Sequence, residues 1–131
     1  MIDAGARAAS LFLWIVPAGF LAAIALPLVV APLAWARWFG WRTEGAPADV
    51  TVYFGRCTGA LALVVILECF RAAPAPRQNP VALELVAAVA TIMTLVHGYG
   101  AWRRIQPWTE DAETFVYALV AAAAIALRVG L

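Results

Sequence analysis

The sequence is poor in charged residues, and this scarcity limits the kind of protein it can encode. Only 13% of the 131 residues are charged, 65% are hydrophobic, and the formal net charge is +1. Because a soluble domain is about half apolar and about a quarter charged, a chain of this composition is expected to have a lipid bilayer as its solvent. The near-zero net charge also argues against a nucleic-acid partner, since neutralising phosphates requires a basic face.

Histidine and cysteine are also scarce, which narrows the cofactors that the chain could hold. There is one histidine, His97, and there are two cysteines, Cys57 and Cys69. The cysteines fall on one predicted helix at a separation of about 18 Å, which is too far for a disulfide. No CxxC motif supports thiol–disulfide chemistry. A single histidine argues against a bis-histidine haem and a dedicated zinc site, so no metal site is predicted and no cofactor is indicated.

What the sequence does contain is four long apolar segments. About 20 apolar residues cross the hydrocarbon core as a helix. Segments of this kind cover residues 9–35, 51–70, 81–102 and 110–127, separated by stretches rich in proline, glycine and charge. The sequence therefore predicts a single all-α domain over residues 1–131, an integral membrane four-helix bundle with up-down-up-down connectivity. The N-terminal run is expected to be a retained first span and not a cleaved signal peptide.

Prolines and tryptophans mark the end of the first span. Interior prolines remove backbone hydrogen bonds, so the first span is expected to bend, with neighbouring groups bonding to the freed carbonyls. After Pro32, the stretch LAWARWFGW is expected to form a short amphipathic turn at the membrane surface, with Trp35, Trp38 and Trp41 at headgroup depth. The arginines are balanced between the two ends of the predicted bundle, so the orientation in the membrane is not predicted.

Ionisable residues inside the spans are the best pointers to a functional site, because burying a charge in a bilayer is costly. At 1.5 Å per residue, alternating helices place Glu68 and His97 at different depths, so these two are not expected to touch. Near the loops 37–50 and 103–109 the same rule groups Arg56, Cys57, Thr94, His97, Tyr99 and Glu113. Near the termini and the loop 71–80 it groups Glu68, Arg71 and Glu84, with Arg128 at the end of the fourth span.

The first polar group supports two interpretations. In one, it binds an anion or a polar headgroup: Arg56 anchors the ligand and pairs with Glu113, while His97 exchanges a proton near neutral pH. In the other, Arg56 extends to the lipid headgroups and His97 donates to a helix carbonyl or to Thr94. In the second polar group, an ion pair between Glu68 and Arg71 and the helix dipole at Glu84 are sufficient explanations.

Small residues form a GxxxG motif, Gly55 and Gly59, on the second span. Small residues let membrane helices approach closely. Two arrangements remain open, because the bundle could pack tightly on itself or keep this face for a partner.

Two stretches carry a resemblance to a known group: PLAWARWFGW at the end of the first span and FGRCTGALAL near the start of the second. Their order resembles the DoxX-like group of small four-helix bacterial membrane proteins, over about residues 27 to 100. The resemblance implies a multi-pass protein of the bacterial cytoplasmic (inner) membrane. Roles within that group range from oxidoreductase subunits to assembly partners.

Two functions follow as hypotheses. The first is an accessory or scaffold subunit that binds lipid or another hydrophobic ligand, with membrane lipids and a larger membrane complex or a homo-oligomer as partners. The second is a membrane-embedded enzyme of the isomerase or cyclase type acting on a lipid-like substrate. There, His97 and Glu113 would be the acid and the base, and Arg56 would stabilise developing negative charge. A transporter is disfavoured because no internal repeat is visible.

Overall fold

Four long helical segments make up most of the chain, and a computed structural model describes them within residues 4–45 and 47–131. The first consists of α1 (Ala4–Phe20), a π-helix (Leu21–Ala25) and α2 (Leu26–Val30), and a short α3 (Pro32–Trp38) follows it. The others are α4 (Ala48–Ala72), α5 (Val81–Arg103) and α6 (Trp108–Val129). All four segments are long and apolar enough to cross a membrane. The all-α prediction with four such helices is confirmed, although the first segment begins and ends about five residues earlier than expected.

The outward faces of these helices are strongly apolar. Leu61 on α4, Leu95 on α5 and Leu119 on α6 each leave more than two thirds of their surface exposed. Many other large apolar side chains are exposed in the same way, including Ile15, Val64, Ile92 and Phe115. Contiguous apolar surface on this scale is rare in soluble monomers, and it suits acyl chains.

The first segment departs from α-helical geometry just before Pro27. Proline has no N–H, so the carbonyl of Ala23, four residues earlier, lacks its helical donor. The backbone widens to a π-helix just before this point, and the indole Nε1 of Trp35 donates to the Ala23 carbonyl oxygen at 2.9 Å. The expected replacement donor is present, and a π-helix interrupts the α-helix beside it. The Trp35 N–H is therefore used within the protein, and its position at headgroup depth stays a prediction.

A second break separates α2 from α3. Ala31 leaves the helical region, with φ −143° and ψ 63°, immediately before Pro32. A residue that precedes proline is disfavoured in the helical conformation, which explains the position of the break. Helix α2 consequently ends at Val30, five residues before the end of the predicted span, and the separate helix α3 starts at Pro32.

The GxxxG motif on α4 packs against the first segment of the same chain. A Cβ atom on Gly59 would lie 2.8 Å from the Ala25 carbonyl oxygen and 2.9 Å from the Val29 nitrogen. A Cβ atom on Gly55 would lie 2.6 Å from Pro32 Cβ. The two glycines thus allow close approach within the bundle, so this face of α4 is covered by the protein itself.

The packed core lies where the start of α1, the end of α4, the start of α5 and the end of α6 meet. Its fully buried side chains include Leu13, Cys69 and Leu83. Toward the opposite ends of these helices, α5 and α6 stay closely packed on each other, whereas α4 and α5 make few contacts. The separation of α4 from α5 leaves space inside the bundle, and the candidate site borders that space.

Candidate functional site

A cluster of three titratable side chains is buried between α5 and α6. His97 and Glu110 are about 95% buried, and Glu113 lies beside them. The ring nitrogen Nδ1 of His97 is 3.2 Å from Glu110 Oε2, and Nε2 is 3.9 Å from Glu113 Oε2. The second distance is too long for a hydrogen bond, and the first contact does not meet hydrogen-bond geometry, so within residues 4–45 and 47–131 both ring nitrogens lack a hydrogen-bond partner. This is unusual, because buried polar atoms in proteins are nearly always bonded.

The turn between α5 and α6 brings these residues together. Helix α5 ends with Arg104 in the left-handed conformation, and the N–H of Ile105 reaches back to the Gly100 carbonyl. This is a Schellman-type helix end. It folds Gln106 back over α5, where its Nε2 donates to the His97 carbonyl at 2.9 Å and to Asp111 Oδ1 at 3.0 Å. One amide therefore ties the histidine backbone to the first turn of α6.

Gly100 makes room for this amide. A Cβ atom at position 100 would overlap the side-chain amide of Gln106. A side chain at this position would therefore displace the Gln106 amide from its place against α5.

Helix α6 presents its polar side chains on one face. Glu110, Glu113 and Tyr117 follow the i, i+3, i+7 spacing that places helical residues on one side. The Tyr117 ring stacks on the His97 imidazole with centroids 5.1 Å apart, and its hydroxyl interacts with the Glu113 carboxylate. Tyr117 thus fixes the plane of the imidazole and also contacts one of the two carboxylates.

The segment that follows α3 closes the site from outside. The indole Nε1 of Trp41 donates to Glu110 Oε1 at 2.9 Å, and the Thr109 hydroxyl donates to the Phe39 carbonyl. The two carboxylate oxygens of Glu110 therefore have different neighbours, Trp41 on one and His97 on the other. The Trp41 N–H is bonded within the protein although the side chain is partly exposed, and its anchoring in the headgroup layer stays a prediction.

A cavity of about 350 Å³ extends from this cluster into the bundle. Its polar end is formed by His97, Glu110, Glu113 and Tyr117. Its walls are otherwise apolar and come from all four segments: Val16, Phe20, Ile24, Leu28, Leu61, Val65, Ile66, Val86, Met93 and Val120. The lining includes Leu61 of α4 and Val89 of α5, which are both exposed on the outer surface. The cavity therefore opens sideways between α4 and α5.

Of the first predicted polar group, the structure brings together only His97 and Glu113. Arg56 is exposed and forms no ion pair or hydrogen bond with any described residue, so the expected pairing with Glu113 is wrong. The reason is the direction in which Arg56 faces around the axis of α4. Arg56 lies at a similar depth, but the 3.6-residue period turns it away from the cavity-lining face of α4 that carries Thr58, Ala62 and Val65.

The remaining members of that group have local roles. The Thr94 hydroxyl donates to the Ala90 carbonyl one turn earlier, so it does not bond to His97. Tyr99 is exposed and packs edge-on against Trp102. Cys57 is partly buried and does not line the cavity. None of these three side chains contributes to the buried cluster.

The second predicted polar group separates into two surface ion pairs. Arg71 donates to both carboxylate oxygens of Glu68, at 2.9 and 2.6 Å, as the i, i+3 spacing predicts. Arg128 donates to Glu84 at 2.7 Å and joins α6 to α5. Glu68 is not among the described partners of His97, in agreement with the depth argument.

Four residues of the site were not predicted as site residues: Trp41, Gln106, Glu110 and Tyr117. Acidic residues in a first helical turn are usually explained by the helix dipole, and this explanation hides the role of Glu110. The i, i+3, i+7 polar stripe of α6 was the available signal. No comparable pattern in the sequence indicates Trp41, whose position depends on the fold of the connection between α3 and α4.

The cluster also has the composition of a metal site. One ligand atom each from His97, Glu110 and Glu113 can be chosen so that all three lie within 4.8 Å of one another. Imidazole and carboxylate groups are common ligands of zinc and of other first-row metals. The argument from a single histidine overlooked that two glutamates can complete a donor set.

Comparison of the chain with protein-family models, with curated proteins and with solved structures finds no match. The function must therefore be inferred from the site itself.

Proposed function

We propose that this chain is a multi-pass membrane protein that binds a lipid-like molecule in the cavity between its four helical segments. The observation that carries the proposal is the combination of a long apolar cavity with one buried polar end. Its volume of about 350 Å³ falls in the range of small-molecule sites, which are mostly apolar with a few polar groups that fix orientation. An apolar chain fits the walls, and a polar head fits the end at His97.

The chemistry of the polar end favours a neutral or cationic head with hydrogen-bond donors. Glu110 and Glu113 present carboxylate oxygens there, and Arg56 faces away. Two carboxylates repel an anion, so the anion site hypothesised from the sequence is not the one that this geometry supports. A hydroxyl or amine head group would instead donate to the carboxylates or to the imidazole.

The position of the opening favours access from the bilayer. The cavity reaches the outer surface at Leu61 and Val89, between α4 and α5, where both helices are apolar. A ligand that already resides among acyl chains could enter there without crossing water. This route is consistent with an accessory subunit or lipid binder of the bacterial inner membrane, of the DoxX-like kind, which remains our hypothesis for the chain.

Retention of lipid after purification tests this proposal. Ala62 lines the cavity, whereas Ala60 on the same helix is exposed and outside it. We expect mass spectrometry of organic extracts to find a bound lipid-like molecule in the wild type and in Ala60→Phe. Ala62→Phe should lose it, because the ring fills the cavity. Equal retention in both variants, or no bound molecule in the wild type, would contradict lipid binding in this cavity.

The second candidate is an enzyme that transfers protons on a lipid-like substrate. The arrangement of an imidazole between two carboxylates, 3.2 and 3.9 Å away at the cavity wall, favours it. His97 and Glu113 could act as acid and base, as the sequence hypothesis has it, but Arg56 is not placed to stabilise negative charge. Incubation with a lipid extract in D2O should then place deuterium into a lipid with the wild type and not with His97→Gln. If neither the wild type nor His97→Gln incorporates deuterium, the enzyme hypothesis is refuted and only the binding function is left as a candidate.

A further inference from the structure

We infer that His97, Glu110 and Glu113 form a binding site for a divalent first-row transition-metal ion, with Zn²⁺ as the simplest probe. The inference does not depend on lipid binding, because the three donors come from the chain itself. It also goes beyond the sequence prediction, which contains no metal site.

The first argument is charge. Two carboxylates lie side by side in a buried position, and no arginine among the described residues pairs with either of them. Buried charges are costly unless they are paired or coordinate a metal. A divalent cation beside a neutral imidazole would balance the two glutamates completely.

The second argument is the state of the histidine. Its side chain is 92% buried, and neither ring nitrogen has a hydrogen-bond partner among the described residues. A carboxylate oxygen nevertheless lies within 4 Å of each ring nitrogen, Glu110 Oε2 at 3.2 Å from Nδ1 and Glu113 Oε2 at 3.9 Å from Nε2. A buried imidazole nitrogen without a hydrogen-bond partner, close to two carboxylates, supplies donor atoms that a shared cation could bind.

The third argument is distance. Bonds of about 2.0–2.2 Å to a tetrahedral zinc ion place its ligand atoms roughly 3.4 Å apart. The observed atoms lie within 4.8 Å of one another, and the glutamate oxygens are 3.2 and 3.9 Å from the ring nitrogens. The two glutamates lie beside different ring nitrogens, so a glutamate side chain would rotate to bring one nitrogen and two oxygens to bonding distance.

The fourth argument is the support around the donors. Trp41 holds Oε1 of Glu110 and leaves Oε2 free, and the stacked ring of Tyr117 fixes the plane of the imidazole. Outer groups of this kind orient the ligands in metal sites. The three donor residues line the cavity, and three protein ligands would leave a fourth position open, as is typical of catalytic and not of structural zinc sites. The metal would therefore meet the polar head of any molecule bound in the cavity.

Metal binding to the full chain in detergent tests the inference. The protein is purified without a polyhistidine tag, treated with a chelator and dialysed against Zn²⁺. We expect one Zn²⁺ per chain, with affinity reduced at least about tenfold in His97→Gln, Glu110→Gln and Glu113→Gln. Glu84→Gln, an exposed glutamate of α5, should bind like the wild type. No Zn²⁺ binding, or undiminished binding by His97→Gln, would overturn the inference.

A spectroscopic measurement on the wild type avoids any variant that fails to fold. The chain has one histidine, so nitrogen coupling from one imidazole in the electron paramagnetic resonance spectrum of bound Cu²⁺ must come from His97. A Cu²⁺ spectrum without imidazole coupling would refute the site. The lipid-binding proposal and the metal-binding inference can be refuted independently of each other. The Ala62→Phe variant is expected to lose the bound lipid and to keep the metal site.

Discussion

At the scale of single residues, Glu110 is the side chain whose surroundings say most about the site. One of its oxygens accepts a hydrogen bond from Trp41, and the other lies against His97. Hydrogen bonds to charged groups contribute more to stability than those between neutral groups, because a buried carboxylate that loses a donor keeps its full desolvation cost.

The hydrogen bond from Trp41 to Glu110 leads to a prediction for Trp41→Phe. This substitution keeps an aromatic ring at position 41 but removes the N–H donor. We expect the free energy of unfolding in detergent to fall by about 1.5–3 kcal/mol in chelator-treated protein. Trp108→Phe is the matched control, because Trp108 is 77% exposed and makes no described hydrogen bond. Equal stability of the two variants would mean that the Trp41 bond does not support Glu110.

Residues also show why part of the site could be predicted from sequence and part could not. Depth along a helix follows from the rise per residue, and it placed His97 with Glu113 and kept Glu68 away from both. Depth does not determine which way a residue faces around the helix axis. Arg56 was therefore assigned to the site wrongly, although it lies on the outer face of α4.

At the scale of elements, the turn between α5 and α6 depends on the fit between Gly100 and Gln106. In the wild-type background, Gly100→Ala would displace the amide that bonds to the His97 carbonyl and to Asp111. Alanine is a better helix former than glycine by about 1 kcal/mol, which would stabilise the protein. The net effect of Gly100→Ala on stability should therefore depend on whether the Gln106 amide is present to collide with the new methyl group.

A double-mutant cycle tests this dependence. We expect Gly100→Ala to lower the melting temperature in the wild-type background and to leave it unchanged or raise it in the Gln106→Ala background. The reversal follows because Gln106→Ala removes the group with which the new methyl collides. Additive effects of the two substitutions would show that the turn does not close in this way.

The packing of α4 on the first segment gives a second prediction for elements. A methyl on Gly59 would meet backbone atoms of Ala25 and Val29, which can move only if the helices separate. We expect Gly59→Ala to lower the free energy of unfolding by about 1–3 kcal/mol. Gly98→Ala is the control, since its methyl would approach nothing closer than Thr114 Cγ2 at 3.8 Å and should be neutral or stabilising. A harmless Gly59→Ala would contradict the packing.

The helices themselves were the most predictable part of the molecule. Runs of about 20 apolar residues between proline- and glycine-rich stretches mark α4, α5 and α6 to within a few residues. Hydropathy does not reveal where a proline will divide an apolar run, so the break at Ala31 and the return of Trp35 to the Ala23 carbonyl were not located in advance. Such details depend on contacts made elsewhere in the chain.

At the scale of the whole molecule, the proposal requires alternating helices that cross a bilayer. Single cysteines in a background without Cys57 and Cys69 can test this arrangement with a membrane-impermeant maleimide. We expect Glu44→Cys and Ile105→Cys to be labelled from the same side of the membrane, and Gln78→Cys from the opposite side. Labelling of Glu44→Cys and Gln78→Cys from one side would exclude the up-down-up-down arrangement.

The whole-molecule proposal rests on the cavity as the place where a membrane-dissolved molecule meets the buried histidine and glutamates. Photo-crosslinking in membranes with a fatty alcohol that carries a diazirine group tests this most directly. The proposal predicts label on the cavity-lining residues Ile66 and Met93, and loss of that label in Ala62→Phe but not in Ala60→Phe. Label confined to outward-facing positions such as Leu95 and Leu119, and equal in both variants, would contradict it.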